Sequence, residues 1–226
     1  MAMGVLGTAL ITGGVWTDEV GPWGYIGAAR LHEAIEAQGL TGQVRLRAHS
    51  FELDPTSPTD SVADNIAHLV AAKGLPEHEV REMEAQIQQM AREMGREYVT
   101  GRPIANTRAV HRVMQALGEA RGTDAATRFF MELQRDYFTG TADPFKAEAV
   151  IARAVRGGLD EQAARAAHAG TTHDEQVEAE VREAASMGAR GVPFFLFNDK
   201  YTAPGALPAE AFRQALRQIA EEARGE

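Results

Sequence analysis

Strand-like patterns occur only towards the two ends of this 226-residue chain, and the long middle has the spacing of helices. Ala9–Trp16 is an apolar stretch that predicts a buried strand. Gln43–Phe51 alternates between apolar and polar side chains, which indicates a strand with one solvated face. Between these two strands, apolar positions from Tyr25 follow helical spacing and stop at Gly39. A β-α-β unit therefore opens the chain.

A second set of strand signals lies near the C-terminus. Val192–Phe197 is a compact run of apolar and aromatic residues, Asn198–Asp199 is typical of a turn, and Lys200–Ala203 predicts a returning strand. Pro208 then suits the first turn of a last helix. These patterns predict a β-β-α unit.

The middle of the chain, from Ser61 to about Met187, shows no strand pattern. A sheet assembled from both ends of the chain then has a helical block inserted between its halves. We therefore predict an α/β fold in which residues 1–58 and 190–226 form one discontinuous domain. Residues 59–189 are predicted to form an inserted helical domain.

Charge and hydropathy exclude several classes of function. The net charge is −9, so the chain lacks the cationic surface that draws proteins to nucleic acids or anionic lipids. No run approaches the roughly 18 apolar residues that a transmembrane helix needs. The N-terminal apolar stretch follows no basic residue of the kind that opens a secretory signal. We therefore expect a cytoplasmic protein with no nucleic-acid or membrane partner.

Cysteine is absent from the sequence. Its absence removes disulfides, thiolate nucleophiles and cysteine-based zinc sites from consideration. The histidines show no His-x-x-His or His-Glu-x-x-His spacing, so we expect no metal site. No glycine-rich loop matches a nucleotide-binding pattern. The sequence therefore gives no sign of a cofactor.

One segment, Trp16-Thr-Asp-Glu-Val-Gly-Pro-Trp-Gly-Tyr-Ile-Gly27, carries a resemblance to a known family. It is similar to the active-site pattern Trp-Ser-Asp-x-x-Cys-Pro-Trp-Cys-Tyr-Ile-Gly of DsbA-like oxidoreductases of the FrnE type. Three more segments agree in order: Phe51-Glu-Leu-Asp-Pro55, Asn106-Thr-Arg-Ala-Val-His-Arg112, and Gly191-Val-Pro-Phe-Phe195 followed by Gly205-Ala206. The resemblance implies a thioredoxin fold, β-α-β then β-β-α, with a large all-helical insertion.

Both cysteines of that family pattern are replaced by glycine, at Gly21 and Gly24. Disulfide exchange needs an attacking thiolate and a resolving partner, so this chain cannot carry it out itself. The same superfamily includes glutathione-dependent isomerases such as 2-hydroxychromene-2-carboxylate isomerase, which keep a serine at the first position to hold the thiolate of the cofactor. Gly21 has no hydroxyl, which weakens the case for glutathione and leaves backbone N–H groups as the alternative receptor.

The resemblance places Gly21, Pro22, Trp23 and Gly24 at the N-terminus of a helix that begins near Tyr25. A helix N-terminus presents unpaired N–H groups and a partial positive charge, which suit an oxyanion or a carboxylate. These residues are therefore candidates for substrate binding. The alternative is a decayed site that keeps only the shape of its backbone.

Aromatic residues cluster in sequence around the same turn. Trp16, Trp23 and Tyr25 could hold a planar ligand between their rings, which predicts an aromatic-walled pocket. The alternative is core packing for Trp16 and a surface position for Trp23. Val192 and Pro193 resemble the family's cis-proline segment, which faces the helix N-terminus and can pair with an extended ligand.

The resemblance also brings the Asn106 segment to the site. His111 is then a titratable candidate for general acid–base catalysis, and Asn106 is a candidate ligand contact. The alternatives are a packed or capping histidine and a helix N-cap asparagine.

Val80, Met83, Ile87, Met90 and Met94 recur at helical spacing and form a narrow apolar stripe. Ordinary helix packing accounts for such a stripe. A methionine-rich stripe can also be a soft ligand wall or the seam of a homodimer.

Two classes of function are compatible with these features. The first is a cofactor-independent isomerase or cyclase for a small carbonyl compound, because relatives of the FrnE type occur in aromatic polyketide pathways. The second is a non-catalytic protein that binds a small molecule or an extended peptide in a groove beside Pro193. A glutathione-type thiol-dependent isomerase is a further alternative.

Overall fold

The computed structural model describes residues 9–59 and 62–225, so the predictions for residues 1–8, 60–61 and 226 lie outside it. Its strands are β1 (Ile11–Thr17), β2 (Val44–Ser50), β3 (Ala63–Asp64), β4 (Pro103–Ile104), β5 (Phe194–Phe197) and β6 (Tyr201–Pro204). The main sheet has the order β2-β1-β5-β6, with β1 and β2 parallel and β5 antiparallel to both of its neighbours. The sheet is thus assembled from both ends of the chain, as predicted, in a thioredoxin-like arrangement.

The helices of the described residues are α1 (Pro22–Ala37), α2 (Asn65–Lys73), α3 (Glu77–Glu93), α4 (Arg108–Arg121), α5 (Thr123–Thr139), α6 (Ala147–Arg156), α7 (Glu161–Ala169), α8 (Asp174–Ser186) and α9 (Ala209–Arg224). None of them is long and apolar enough to cross a membrane. The predicted helical insertion corresponds to α2–α8. It also holds the short β3–β4 ladder, which the sequence did not predict because two residues are too few to show alternation.

The first helix starts earlier than its hydrophobic pattern indicated. Its first residue is Pro22, and Gly21 precedes it in an extended conformation. Proline is favoured at the first helical position because its fixed φ suits the helix and its missing N–H needs no partner there. The apolar spacing from Tyr25 therefore missed the first turn.

One large hydrophobic core joins the sheet to the inserted helices. It contains Val15 and Phe195 from the sheet, Val113 and Phe130 from α4 and α5, and Phe212 from α9. The insertion therefore shares a core with the thioredoxin-like part. The predicted boundaries of the two domains stay predictions.

The apolar stripe of α3 is buried only in part. Val80 and Ile87 are buried, and Ile87 belongs to a second core cluster with Tyr25 and Phe138. Met83 is 38% exposed. The stripe is therefore partly core, and a homodimer seam stays a prediction.

A buried carboxylate fastens the insertion to the sheet. Glu180 of α8 accepts hydrogen bonds from Arg47 (2.8 Å) and the Ser50 N–H (2.6 Å) of β2, and its Oε1 lies 3.0 Å from Nδ1 of His49. Gln115 of α4 donates to its second oxygen at 2.6 Å. Burial opposes ionisation, but the hydrogen bonds from His49 and Ser50 and the charge of Arg47 lower the pKa of Glu180 to about 2.

The lowered pKa of Glu180 predicts a specific loss of stability in acid. A carboxylate with a folded-state pKa below its unfolded value stabilises the protein above the unfolded pKa, and this contribution is lost as the pH falls through the folded pKa. Between pH 6 and pH 3 we expect the free energy of unfolding to fall by about 2 kcal/mol through this group. Glu180→Gln should remove that part of the slope, as measured by urea unfolding at both pH values. Glu183→Gln, at an exposed position of the same helix, should keep the full slope, and equal slopes in all three proteins would contradict this assignment.

Candidate functional site

A cavity of about 590 Å³ lies between the N-terminus of α1, the loop after β2 and the inserted helices α2 and α3. Its apolar lining includes Trp23, Leu53, Leu69, Met83 and Ile87. Polar and ionisable residues line it as well: Asp18, Asp54, Asn65, His68, Lys73, Glu84, Arg102, Thr107 and Tyr137. A cavity of this size and composition suits a small organic molecule.

Gly21, Pro22 and Trp23 bring the N-terminus of α1 to this cavity, as the sequence predicted. The Gly21 N–H already donates to the Asp18 carbonyl at 3.1 Å, and the Gly24 and Tyr25 N–H groups reach the Gly21 carbonyl. Pro22 has no N–H. Within the described part of the chain, Trp23 is therefore the first-turn residue whose N–H has no acceptor. The expected anion receptor is reduced to one main-chain donor.

The three aromatic residues near this turn do not share a pocket. Trp23 is 43% exposed at the cavity. Trp16 is buried on the other side, where its indole N–H donates to the Glu180 carbonyl at 3.0 Å and its ring stacks on His49. Tyr25 is buried against Phe138. The prediction of an aromatic-walled pocket was therefore wrong for Trp16 and Tyr25.

His111 is sealed in the protein interior beneath Asp18. The His111 Nε2 lies 3.2 Å from Oδ1 of Asp18, and the ring stacks on Phe130. Asp18 lines the cavity whereas His111 does not. A general acid or base acts within hydrogen-bond distance of the substrate, and His111 does not reach the cavity directly, so its catalytic role stays a prediction. His111 helps to hold Asp18.

Asn106 supports the cavity from outside. Its side-chain oxygen caps α4 by accepting from the Arg108 N–H at 2.9 Å. Its side-chain nitrogen donates to the carbonyls of Pro55 and Ser57 in the loop after β2. Its neighbours Ala105 and Thr107 line the cavity and Asn106 does not. The capping interpretation therefore describes Asn106 better than ligand contact.

The Val192–Pro193 peptide bond is cis. Val192 lines the cavity opposite the α1 N-terminus. The Pro193 carbonyl accepts from the Gly205 N–H at 2.7 Å. This bond holds the start of β5 to the residue that follows β6, and pairing of an extended ligand with the Val192 backbone stays a prediction.

Sequence reasoning missed a histidine–carboxylate pair at the cavity. His68 lies 3.8 Å from Asp54 through Nε2 and Oδ2, and its side chain is 24% exposed. Hydrogen bonds from Thr56 and Ser57 lower the pKa of Asp54. Asp54 stands in one of the family-like segments, but His68 lies on α2 and carries no motif. Only the fold brings the two together.

A second missed group closes the inner end of the cavity. Arg102 pairs with Glu84 at 3.2 Å and stacks on the ring of Tyr98, and both charged side chains are almost fully buried. Burial raises the pKa of Tyr98, so its hydroxyl stays protonated and donates to Glu84 at 3.1 Å. These charges neutralise each other inside the wall.

One face of helix α2 forms a wall of the cavity. Asn65, His68, Leu69, Ala72 and Lys73 all line the cavity. Their spacing is that of one side of a helix. Only Asn65 and Ile66 of this helix are buried. The wall is thus held mainly at its first turn.

The sequence profile of the DSBA-like thioredoxin domain family matches residues 14–217. The chain belongs to this family. The resemblance drawn from four sequence segments is thereby confirmed.

Solved structures agree with this membership. A probable DsbA oxidoreductase from Streptomyces coelicolor is 32% identical, with a TM-score of 0.83 over 96% of this chain and 91% of that one. A putative protein disulfide isomerase from Nitrosomonas europaea is 17% identical, with a TM-score of 0.67 over 94% and 98%. A 2-hydroxychromene-2-carboxylate isomerase is 16% identical, with a TM-score of 0.66 over 95% and 98%. The last two share the fold. No curated protein matches the chain.

The two glycines of this DSBA-like protein stand in different surroundings. A Cβ on Gly21 would have the Asp18 carbonyl oxygen as its nearest neighbour at 3.3 Å, so a small side chain needs a shift of only a few tenths of an ångström there. A Cβ on Gly24 would overlap the hydroxyl of Thr17 and lie 3.2 Å from Nε2 of Gln134. A side chain at position 24 therefore requires Thr17 to change rotamer, which a buried β-branched residue resists. The site therefore lacks both thiols of the family pattern and has little space for a side chain at position 24.

The same substitution at the two glycines should have different effects. Gly24→Ser should lower the free energy of unfolding by about 1–3 kcal/mol through overpacking. Gly21→Ser should change it by less than about 0.5 kcal/mol, because serine is a good N-cap residue. Urea unfolding followed by circular dichroism measures both.

A double-mutant cycle checks the cause. Thr17→Ala in the Gly24→Ser protein should recover part of the loss, with a coupling energy of about 0.5–3 kcal/mol. Strictly additive effects would show that Thr17 is not the obstacle.

Proposed function

We propose that this DSBA-like protein is a cofactor-independent isomerase or cyclase for a small carbonyl compound. The observation that carries the proposal is the cavity of about 590 Å³, in which the accessible His68–Asp54 pair faces an apolar volume beside the α1 N-terminus. The cavity lies where the family pattern has its reactive cysteines. The chain has no cysteine, so its own residues must carry out any chemistry there without a thiol.

His68 is the proton-transfer group of this proposal. Its carboxylate neighbour Asp54 is held ionised by its hydrogen bonds with Thr56 and Ser57. An ionised carboxylate beside a histidine stabilises the imidazolium that forms when the ring accepts a proton. The partial exposure of His68 gives a ligand access that His111 lacks.

The reaction follows from these placements. His68 removes a proton from the carbon next to a carbonyl group and returns it at a different carbon, so that the substrate is isomerised without oxidation or reduction. The Trp23 N–H is a donor for the oxygen that gains charge in the enolate. Trp23, Leu53 and Ile87 supply apolar surface for the rest of the molecule.

A non-catalytic binding protein is the second candidate. It is favoured by the exposed apolar side chains Trp23 and Leu53, which are 43% and 47% exposed. Exposed apolar surface of this kind is typical of binding sites. In this alternative the cavity holds a ligand, and His68 serves only for contact.

Deuterium exchange separates the two candidates. Incubation of 1-tetralone with the protein in D₂O, followed by proton NMR, should show faster loss of the protons next to the carbonyl than in buffer. His68→Asn should slow the protein-dependent rate by about 10²-fold or more, the usual contribution of a general base. His32→Asn, at an exposed position on α1, should keep the rate. Binding of 1-tetralone without any exchange would reject the isomerase and leave the binding protein.

A further inference from the structure

The carboxylates that line the cavity all have contacts with the protein. Each already accepts hydrogen bonds from the protein: Asp18 from the Glu19 and Leu53 N–H groups, Asp54 from Thr56 and Ser57, and Glu84 from the Tyr98 hydroxyl. The Tyr137 hydroxyl is also engaged, because it donates to the Pro103 carbonyl at 2.9 Å.

Asn65 differs from these carboxylates, because its buried side chain has a donor that no described protein group accepts from. Its N–H donates to the Arg102 carbonyl at 2.9 Å, and its side-chain oxygen accepts from the Arg102 N–H at 2.8 Å. A main-chain N–H can only donate, so the side-chain atom that faces it must be the oxygen. The orientation of the amide is thereby fixed by the protein itself.

The remaining polar atom of that side chain is the amide nitrogen Nδ2. Asn65 is only 2% exposed and lines the cavity. None of the hydrogen bonds of the described residues has Nδ2 as its donor, and Nδ2 is not among the fully enclosed unpaired atoms. It can therefore donate to an acceptor that a ligand or water places in the cavity. The structure therefore holds a preorganised donor at the cavity wall.

Thr107 adds to this arrangement. It is 4% exposed, lines the same cavity, and its hydroxyl forms no hydrogen bond with the residues that the structure describes. The Trp23 N–H is the third such donor at this cavity. Together with Nδ2 of Asn65, these groups can donate to a ligand that offers acceptors.

We infer that Asn65 binds a carbonyl oxygen of the ligand, and that the cavity therefore favours a ketone over the hydrocarbon of the same frame. The inference rests on the proposed function and deepens it by naming the substrate class and a specificity-determining residue. Asn65 would hold the oxygen through Nδ2 while the amide keeps both of its contacts with Arg102. Its position is fixed before the ligand arrives, so little ordering entropy is lost on binding.

A matched pair of probes tests the role of Asn65. The probes are 1-tetralone and tetralin, which have the same bicyclic frame with and without the carbonyl, and binding is measured by quenching of tryptophan fluorescence and by calorimetry. The wild-type protein should bind 1-tetralone about tenfold more tightly than tetralin. Asn65→Asp keeps the oxygen that faces Arg102 and replaces the donor by a second oxygen. This substitution should weaken the binding of 1-tetralone by about tenfold, or roughly 1.4 kcal/mol. The affinity for tetralin should stay unchanged.

Two further variants guard against indirect effects. Asn65→Ala removes the side chain without adding charge, and it should abolish the same preference if Asn65→Asp fails to fold. Asn198→Asp makes the same chemical change at an asparagine outside the cavity, where the side-chain oxygen that accepts from the Thr12 N–H is kept, and it should keep the preference for the ketone. Circular dichroism establishes that each variant is folded.

The outcomes separate the inference from the function on which it rests. A preference for 1-tetralone that survives in a folded Asn65 variant overturns the inference. Equal affinity of the wild-type protein for both probes also overturns it, whereas the deuterium-exchange result still decides the proposed function. If the wild-type protein binds neither probe, the cavity is not a site for such ligands. Both the inference and the proposed function are then rejected.

Discussion

The carboxylate of Glu180 is the interaction on which the rest of the structure depends. It joins α8 and α4 of the insertion to β2 of the sheet, and the main-chain carbonyl of the same residue holds Trp16 of β1. A buried charge is stable only when it is fully hydrogen-bonded, so these partners have to meet in one arrangement. That arrangement sets the insertion against the thioredoxin-like part. The cavity takes one wall from the insertion and one from the thioredoxin-like part. Its shape therefore depends on how these two parts are held together.

The cavity shows how a redox fold can be used without sulfur. Replacement of both reactive positions by glycine removes the thiols, and Thr17 occupies the space next to Gly24. The three carboxylates at the site each lie beside a basic side chain: Asp18 beside His111, Asp54 beside His68, and Glu84 beside Arg102. The first and last of these pairs are buried and support the walls. The Asp54–His68 pair is open to a ligand, which is why the proposed chemistry is placed there.

Much of the fold could be predicted from the sequence, because alternation in β2 and the apolar run of β5 are local signals. The site was harder to predict. The position of Gly21–Trp23 at the cavity followed from the family pattern, but the opposite orientations of Trp16 and Trp23 depend on which element each belongs to. His111 has a family-like segment and no access, whereas His68 has access and no motif. Contacts such as Asn65 with Arg102 join residues distant in sequence, and no local pattern reports them.

Helix α2 has one more consequence. Only its first turn is buried, and the side chains that face the cavity further along it contribute little to the core. Apart from Asn65, the residues of this helix that line the cavity are therefore not the ones that maintain the fold. Positions 68, 69, 72 and 73 can change during evolution, or in a directed-evolution library, at small cost to folding. Related proteins could thus acquire different substrates by altering one short helix while the sheet and its fastening to the insertion remain the same.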